Sequence, residues 1–398
     1  MYISFRDNVY LVEGKKKDCI YDLNNGKLYH IEKFASEQIQ KYYSNSIETV
    51  GNEFISFLLG NNIVKLTDKK NKLTDIKNIS QEVNITFAWI EICDICNLKC
   101  IHCYNESSIN CINIMSLENF KKVCAKLKDI DINKIQIIGG EPFLHPNIKE
   151  ILSYAAEIFE SVEVFTNGTL LNKELLELIR QLRIKVALSV YSYDSTQHDK
   201  VTQVNGSHKR TEMAIASLKR LNITYRVASV LMNGIDIGKP NTQLYSINMK
   251  KDVVRLTGRG NKNMLTPELL KKRLITKETF SQPLNSQNIK IQTNHHQCFS
   301  RRIYISAILD VYPCVMERRI CHGNILNHSI PEVLKEDILH MNKDKIDECK
   351  ECEFRYVCFD CRPNTIADLH SKPYYCTYDV INGKWLDVDE YIANFFKI

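Results

Sequence analysis

The sequence lacks any run of about eighteen apolar residues, the length that a membrane-spanning helix needs. Its first residues, MYISFRDNVY, also lack the basic segment followed by an apolar one that marks a signal peptide. The net charge of +6 is spread along the chain in isolated lysines, without a basic patch for nucleic acid. We therefore expect a cytoplasmic protein with neither a membrane nor a nucleic acid as its partner.

Cysteine, in contrast, is abundant, because the 398 residues include 15 of them. In a chain without an export signal, this number indicates metal or redox use rather than disulfides. The length is sufficient for two or three domains with their own cores. The positions of the cysteines are therefore the main clue to function.

Three cysteines lie close together in the segment CNLKCIHCY. We call Cys96, Cys100 and Cys103, with their C-x3-C-x2-C spacing, the motif cysteines. Three thiolates can bind three irons of a 4Fe–4S cluster and leave the fourth iron free to hold a small molecule. The alternative, a zinc site, would need a fourth ligand. His102 could be proposed for that role, but its position is better explained as a bulky residue that shields a cluster.

The motif cysteines followed by the aromatic Tyr104 resemble the signature of the radical S-adenosylmethionine (SAM) enzymes. The resemblance implies that the free iron binds the amino and carboxylate groups of SAM. It further implies that one electron from the cluster cleaves SAM, and that the resulting 5′-deoxyadenosyl radical abstracts hydrogen from a substrate. In this reading Tyr104 also lies beside SAM.

Strand-like and helical patterns alternate over residues 84–256, which predicts a parallel sheet with helices outside. The predicted strands are Asn84–Ile92, Lys134–Ile138, Val162–Phe165, Lys185–Val190, Thr224–Leu231 and Val253–Leu256. Six strands fit the α/β fold of the resembled family, a partial (β/α)6 barrel. Ligands should gather at the carboxyl ends of the strands, and the segment with the motif cysteines directly follows the first strand.

Further SAM contacts are expected in the loops after the next strands. Gly139, Gly140, Glu141 and Pro142 follow the second strand, and the resemblance implies that this segment meets the SAM amino group. Glycines there would let the backbone pass close to a bound ligand. Asn167 after strand three and Ser189 on strand four occupy places where relatives contact SAM, although ordinary turn and strand residues explain them nearly as well.

Eight cysteines lie in the last hundred residues, and their spacing is typical of metal sites. With the hairpin before Tyr312-Pro313-Cys314, they resemble the SPASM extension, which implies two auxiliary 4Fe–4S clusters and three clusters in total. The sequence departs from the SPASM pattern in having two residues, not three, between its last clustered cysteines, and in lacking a glycine before Cys314. A pair of zinc sites is the alternative.

The SPASM resemblance implies two ligand sets. The proximal cysteines, for the cluster nearer the barrel, are Cys298, Cys314 and Cys361, with Cys321 as the candidate fourth ligand. The distal cysteines, for the farther cluster, are Cys349, Cys352, Cys358 and Cys376. An open position in place of Cys321 is the alternative for the nearer cluster.

The first eighty residues combine short strand patterns with helical patterns near Glu32–Tyr43 and Ile47–Leu59. Such a unit resembles the winged-helix recognition domains of peptide-modifying enzymes, and a plain cap on the barrel is the alternative. The predicted organisation is therefore a recognition domain over 1–80, the barrel over 84–260, a bridging region over 261–297 and the SPASM domain over 298–398.

The segment CKECEFRYVCFDCRP resembles the peptide maturases of grasp-with-SPASM systems. The resemblance implies a radical enzyme that forms a thioether or carbon–carbon cross-link in a ribosomally made precursor peptide, bound through its leader. Its partners would be a reductant such as flavodoxin or ferredoxin and an ATP-grasp ligase of the same pathway. The alternatives are a side-chain oxidase of the sulfatase-maturating type and a non-catalytic iron–sulfur redox or scaffold protein. No residue is identified as the catalytic acid or base.

Overall fold

The computed structural model describes residues 1–45, 53–239, 249–366 and 368–397. The strands there are β1 Tyr2–Phe5, β2 Val9–Glu13, β3 Lys17–Asp22, β4 Lys27–Glu32, β5 Val64–Thr67, β6 Phe87–Glu91, β7 Lys134–Ile138, β8 Ser161–Thr166, β9 Lys185–Ser189, β10 Tyr225–Leu231, β11 Lys250–Val253, β12 Arg302–Ile305, β13 Asp310–Tyr312, β14 Gly323–Asn324, β15 Tyr378–Asp379 and β16 Lys384–Trp385. The helices are α1 Lys33–Ser44, α2 Glu53–Gly60, α3 Leu117–Lys128, α4 Ile148–Ile158, α5 Lys173–Gln181, α6 Ser195–Thr202, α7 Ser207–Arg220, α8 Pro267–Lys271, α9 Ser286–Gln292, α10 Ile330–Val333, α11 Glu336–Leu339 and α12 Val388–Lys397.

The chain divides into two compact units. Unit one contains Met1–Val83, Leu274–Gln297 and His340–Ile398, and unit two contains Asn84–Arg273 and Cys298–Leu339. Of the helix predicted over Ile47–Leu59, residues 47–52 lie outside the described residues, and the described part is α2. Within the described residues, no helix is both long enough and apolar enough to cross a membrane.

Unit two contains a nine-stranded sheet in the order β11-β10-β9-β8-β7-β6-β12-β13-β14. Strands β6 to β11 are parallel and lie in sequential order, with β12 added in parallel on the far side of β6. The buried strand residues Ile90, Ile137 and Val164 belong to a core that the helices cover. The α/β fold with a mostly parallel sheet is therefore as predicted, although β11 begins at Lys250 rather than Val253.

Helix α3 illustrates how local sequence defines these elements. The Ser116 side chain accepts a hydrogen bond from the backbone N–H of Asn119, which caps the helix N-terminus. Phe120, Val123 and Leu127 recur at helical spacing and are fully buried. The predicted helix is therefore present, and its buried face packs into the barrel core.

Unit one begins with an antiparallel sheet, β2-β3-β4, and a two-stranded sheet in which β1 pairs with β5. Because side chains alternate along a strand, β2 and β3 supply residues to two different cores. Val9 and Ile20 belong to a core that includes residues of α1 and α2. Val12 and Tyr21 belong to another core, shared with residues from the last sixty of the chain, among them Phe354.

Hydrogen bonds support this second core of unit one. The Tyr21 hydroxyl donates to the backbone oxygen of Glu353 at 2.8 Å, and Arg355 Nη1 donates to the backbone oxygen of Glu13 at 2.6 Å. Strands β2 and β3 are therefore covered on both faces, one of them against the segment that carries the distal cysteines.

Candidate functional site

A cavity of about 220 Å³ lies in unit two, where the parallel strands end. It is bordered by Cys96, Leu98, Cys100, His102, Cys103, Tyr104, Asn105, Gly139, Gly140, Phe165, Thr166, Asn167, Ser189, Tyr191, Ala228, Val230, Asp252, Val253, Arg255, Thr257 and Met316. These residues come from loops or strand ends after β6, β7, β8, β9 and β11, from β10, and, for Met316, from the segment between β13 and β14. The cavity therefore occupies the place that the topology of parallel strands reserves for ligands.

The motif cysteines all border this cavity. Cys96 is buried, and Cys100 and Cys103 are partly buried. Burial raises the pKa of both Cys96 and Cys100 to about 12, because a thiolate is poorly solvated there. A bound iron–sulfur cluster would supply the positive charge that stabilises three thiolates. Three soft sulfur donors around one cavity thus fit such a cluster.

The loop that carries the motif cysteines is fixed by an arginine from far along the chain. Arg259 donates from Nε to the backbone oxygen of Cys100 at 2.8 Å and from Nη2 to that of Ser107 at 2.9 Å. Its backbone N–H donates to the oxygen of Cys103 at 3.0 Å. These three bonds hold the loop from Cys100 to Ser107, and nothing in the motif itself indicates them.

The two glycines after β7 contact the same loop rather than open space. A Cβ on Gly139 would lie 2.5 Å from the backbone oxygen of Cys93, and one on Gly140 would lie 2.3 Å from that of Ile95. The Gly140 N–H donates to the Cys93 oxygen at 2.8 Å. Glycine is therefore required at both positions because the backbone packs against the segment that leads into the motif cysteines. The same lack of a side chain would also let the backbone come close to a ligand.

Glu141 and Pro142 are both buried and are not among the residues that border the cavity. The Glu141 carboxylate accepts hydrogen bonds from the Thr166 hydroxyl at 2.7 Å and the Asn167 backbone N–H at 2.8 Å. Burial raises the pKa of Glu141 to about 7, although these hydrogen bonds act against that rise. The carboxylate thus ties the loop after β7 to the loop after β8.

Asn167 borders the cavity beside the motif cysteines. Its Nδ2 donates to Asn97 Oδ1 at 2.9 Å and lies 3.9 Å from Cys96 Sγ. The hydrogen bond to Asn97 places the amide against the first motif cysteine. Tyr104 and Ser189 also border the cavity, and burial raises the pKa of the Tyr104 hydroxyl.

The structure adds residues that the sequence pattern did not reveal. Tyr191 borders the cavity and packs its ring edge against His102, with 4.7 Å between ring centroids. Arg255 and Asp252 also border it and pair with each other at 2.7 Å. His102 is partly buried, and desolvation of its ring lowers its pKa to about 4, so the ring is neutral near pH 7. The sequence offered one clue to the place of Tyr191 beside the cavity, which is that it lies two residues after the end of β9.

The proximal cysteines are divided between the two units. Cys298, Cys314 and Cys321 belong to unit two, and Cys361 belongs to unit one. The Cys321 thiol lies 3.3 Å from the backbone oxygen of Val311 and 3.7 Å from that of Gly323, within the hairpin formed by β13 and β14. Its assignment as a cluster ligand remains a prediction.

The distal cysteines all border a second cavity, inside unit one, together with Phe354, Tyr378 and Trp385. Burial raises the pKa of Cys349, and it raises the pKa of Cys358 to about 11. In the described residues, no group of three or more His, Cys, Asp or Glu side chains is placed to hold a single metal ion. Four thiols around a cavity match the ligand number of a 4Fe–4S cluster.

Residues 90–239 match the family model of the Radical SAM superfamily. The subtilosin biosynthesis protein AlbA of Bacillus subtilis is 37% identical over 179 residues, which are 44% of this chain and 40% of AlbA. The sporulation killing factor maturation protein SkfB of the same species is 31% identical over 143 residues, 36% of this chain and 35% of SkfB. The chain thus spans less than half the length of these curated relatives.

Solved structures are similar over more of the chain. SuiB of Streptococcus suis, bound to the precursor peptide SuiA, has a TM-score of 0.57 at 14% identity and covers 93% of this chain and 98% of its own. The protein anSMEcpe with bound AdoMet has a TM-score of 0.52 at 16% identity and covers 78% of this chain and 95% of its own. These similarities concern the fold, and they confirm the predicted α/β radical SAM fold.

Proposed function

We propose that this chain, whose residues 90–239 form a radical SAM domain, modifies a ribosomally made precursor peptide. The observation that carries the proposal is the cavity in which the three motif cysteines meet the loops after β7, β8 and β9. With SAM and a 4Fe–4S cluster bound there, the site would supply one-electron cleavage of SAM and hydrogen abstraction by the 5′-deoxyadenosyl radical.

The protein's own residues hold and enclose the reacting groups. The motif cysteines would bind three irons, and Arg259 fixes the loop between them. Gly139, Gly140, Asn167, Ser189 and Tyr104 border the space next to those thiols and are the proposed SAM contacts. Glu141 and Pro142 belong to the same proposed site, with Glu141 acting through the backbone of Asn167.

The walls of this cavity would limit the access of water to the reacting centre. Cys96 is buried, and Cys100 and His102 are partly buried. Exclusion of water protects a reactive radical from side reactions. Asp252 and Arg255 are the charged pair on the cavity border and are available to orient a peptide backbone or side chain.

Two auxiliary clusters are part of the proposal. The distal cysteines would hold one of them, since all four of these partly buried residues border a single cavity. The proximal cysteines, with Cys321 or with an open position, would hold the other. On ring closure, one hydrogen atom of the substrate goes to the 5′-deoxyadenosyl radical and forms 5′-deoxyadenosine. The second hydrogen leaves as a proton, and either auxiliary cluster could accept the remaining electron.

The relatives favour a peptide as the substrate. AlbA is named for biosynthesis of a bacteriocin, SkfB for maturation of a killing factor, and SuiB was solved with a precursor peptide. A protein-side-chain oxidase remains the second candidate, because the fold is shared with anSMEcpe, which was also solved with AdoMet and a peptide. A scaffold without SAM cleavage remains the third, and the reductant and an ATP-grasp ligase are proposed partners.

A leader-docking surface is available on unit one. Strand β4 is at the edge of the described β2-β3-β4 sheet, so it can pair with an added strand. Next to it, Phe34 is 70% and Phe57 49% exposed, and Tyr29 packs on Phe57 with 6.4 Å between centroids. An extended leader peptide could gain backbone bonds from β4 and apolar contacts from these rings.

The main experiment measures SAM cleavage and peptide mass together. Anaerobically reconstituted protein, given a reductant and candidate peptides from neighbouring small reading frames, should release 5′-deoxyadenosine and leave one peptide lighter by two hydrogen atoms. SAM cleavage without any change in peptide mass would favour a different substrate. No cleavage at all would favour the scaffold alternative.

Docking is tested by point substitution, because removing residues 1–80 would expose the core that they share with Phe354 and Tyr378. Phe34→Asp should weaken binding of the labelled leader peptide at least tenfold by fluorescence polarisation. The matched control is Ile381→Asp, which changes a side chain that is 63% exposed in the turn between β15 and β16. Equal affinity of the two variants would favour the plain-cap alternative.

A further inference from the structure

Three buried charged side chains lie beside the distal cysteines. Lys343, Asp360 and Arg362 are 6%, 2% and 1% exposed. Lys343 Nζ lies 2.5 Å from Asp360 Oδ1, and Arg362 pairs with the other oxygen of the same carboxylate. Two buried cations therefore share one buried anion, so these three side chains together carry a net charge of +1.

The lysine in particular has unused hydrogen-bonding capacity. Among the described residues, Lys343 Nζ has no partner with hydrogen-bond geometry, although its charge lies against Asp360. An ammonium carries three N–H donors, and burying them without acceptors costs free energy. A further anion or acceptor near this group would offset that cost.

One cavity that Lys343 borders offers such an acceptor. Lys343 borders the same cavity as all four distal cysteines. This cavity is small, about 20 Å³, so the buried ammonium and the four thiols face the same confined space. The positive charge of Lys343 is therefore placed to act on whatever group the four thiols hold.

We propose that Lys343 is the electrostatic partner of the distal cluster and raises its reduction potential. The inference rests on the auxiliary clusters of the proposed function and adds a role for a residue outside the cysteine pattern. A 4Fe–4S cluster with four thiolates is an anion, and taking up one electron makes it more negative. A buried cation in the same cavity stabilises the reduced state more than the oxidised one.

Replacing Asp360 should shift the reduction potential of the distal cluster in the direction opposite to that for Lys343. Its carboxylate partly neutralises Lys343 and Arg362. Removing the Lys343 charge should lower the potential of the distal cluster, whereas removing the Asp360 charge should raise it. A residue with a merely structural role would not shift the potential in two directions.

The experiment uses full-length protein in which Cys96, Cys100, Cys103, Cys298 and Cys314 are replaced by Ala, so that only the distal site can hold a 4Fe–4S cluster. Lys343→Met removes the charge at similar volume, and Lys343→Arg keeps it. Lys350→Met is the matched control, because Lys350 is close in sequence to Cys349 but 52% exposed. Asp360→Asn provides the opposite change.

Each reconstituted variant is reduced in a potentiometric titration followed by electron paramagnetic resonance. For Lys343→Met, the ratio of reduced to oxidised cluster at a fixed solution potential should fall at least tenfold, which is 59 mV for a one-electron couple. Asp360→Asn should raise the same ratio at least threefold. Lys343→Arg and Lys350→Met should stay within threefold of the parent.

An unchanged potential in Lys343→Met with a full iron content, or shifts of the same sign in Lys343→Met and Asp360→Asn, would overturn the inference. If Lys343→Met does not retain the cluster, the rise expected in Asp360→Asn decides alone. Zinc without iron and sulfide in the parent would overturn the inference together with the auxiliary cluster. Metal analysis therefore separates failure of the proposed function from failure of the inference.

Discussion

The Glu141 carboxylate accepts a hydrogen bond from the backbone N–H of Asn167 at 2.8 Å, although the two residues follow different strands of the sheet. Glu141 is fully buried, and Thr166 donates to its other oxygen. These two hydrogen bonds fix the loop after β8, whose Asn167 side chain lies next to Cys96. An acidic residue that the sequence places in the SAM site therefore has a positioning role in the structure.

Glu141 should make stability depend on pH. Its pKa is raised from 4.5 to about 7 by burial, so the folded protein binds a proton more tightly than the unfolded chain does. The stability from this proton is complete below pH 4.5 and is lost as the pH rises to about 7, a change of roughly 3 kcal/mol. Denaturant unfolding at pH 5 and pH 8 should show a smaller loss in Glu141→Gln than in the original protein.

The comparison between the two proteins removes the contribution of other titrating groups. An equal loss of stability in both would mean that Glu141 is ionised throughout this range. A smaller loss in Glu141→Gln would support the proton on the buried carboxylate.

Gly140→Ala should disturb the loop that carries the motif cysteines, because the added Cβ would lie 2.3 Å from the backbone oxygen of Ile95. Distances this short force the backbone to move. We expect substoichiometric iron at the motif cysteines after reconstitution and at least a tenfold loss of SAM cleavage. Gly60→Ala is the control, since a Cβ there meets nothing within 4 Å. Full iron loading of Gly140→Ala would contradict the packing argument.

Replacing the motif cysteines together with Ala should reduce the iron content from about twelve atoms per chain to about eight, since one of the three proposed 4Fe–4S clusters would be lost. Release of 5′-deoxyadenosine should fall to background, because the remaining clusters have no site for SAM. The measurements are iron and sulfide analysis and chromatography of the nucleoside. Cys124→Ala is a suitable control, because Cys124 is buried in the barrel core and borders neither cavity. Continued SAM cleavage by the triple variant would refute the central claim.

Arg259→Gln should weaken the loop of the motif cysteines by removing charged donors to the backbone oxygens of Cys100 and Ser107. A hydrogen bond from a charged group contributes about 1.5 to 3 kcal/mol, so the cluster should be lost faster on dilution or exposure to a chelator. The decay of visible absorbance measures this rate. Arg220→Gln, at the end of α7, serves as the control. Identical decay in both variants would argue against stabilisation of the loop by Arg259.

Cys321→Ala separates the two alternatives for the nearer auxiliary cluster. If Cys321 is a ligand, the variant should lose iron from that cluster while SAM cleavage without peptide is unchanged. If the position is open, iron content should be unchanged, and a substrate thiolate could bind that cluster directly. The second result would agree with the hydrogen bonds of the thiol to Val311 and Gly323 and would favour thioether formation.

The sequence by itself determined the features that depend on neighbouring residues. The spacing of the motif cysteines requires no tertiary information, because one short loop brings the thiols to one cavity. Alternating strand and helix patterns likewise predicted the parallel sheet and its helices, since hydrophobic periodicity is local. The distal cysteines also border one cavity, as their close spacing in sequence suggests.

Only the tertiary structure decided which distant residues support these loops. Arg259 lies 159 residues from Cys100 and has no motif of its own, and Lys343 looks like an ordinary surface lysine until its burial is known. The addition of β12 beside β6 and the core shared between the first sheet and Phe354 are equally non-local. Periodicity reports which face of an element is buried, whereas the partner of that face is selected by packing and charge across the whole chain.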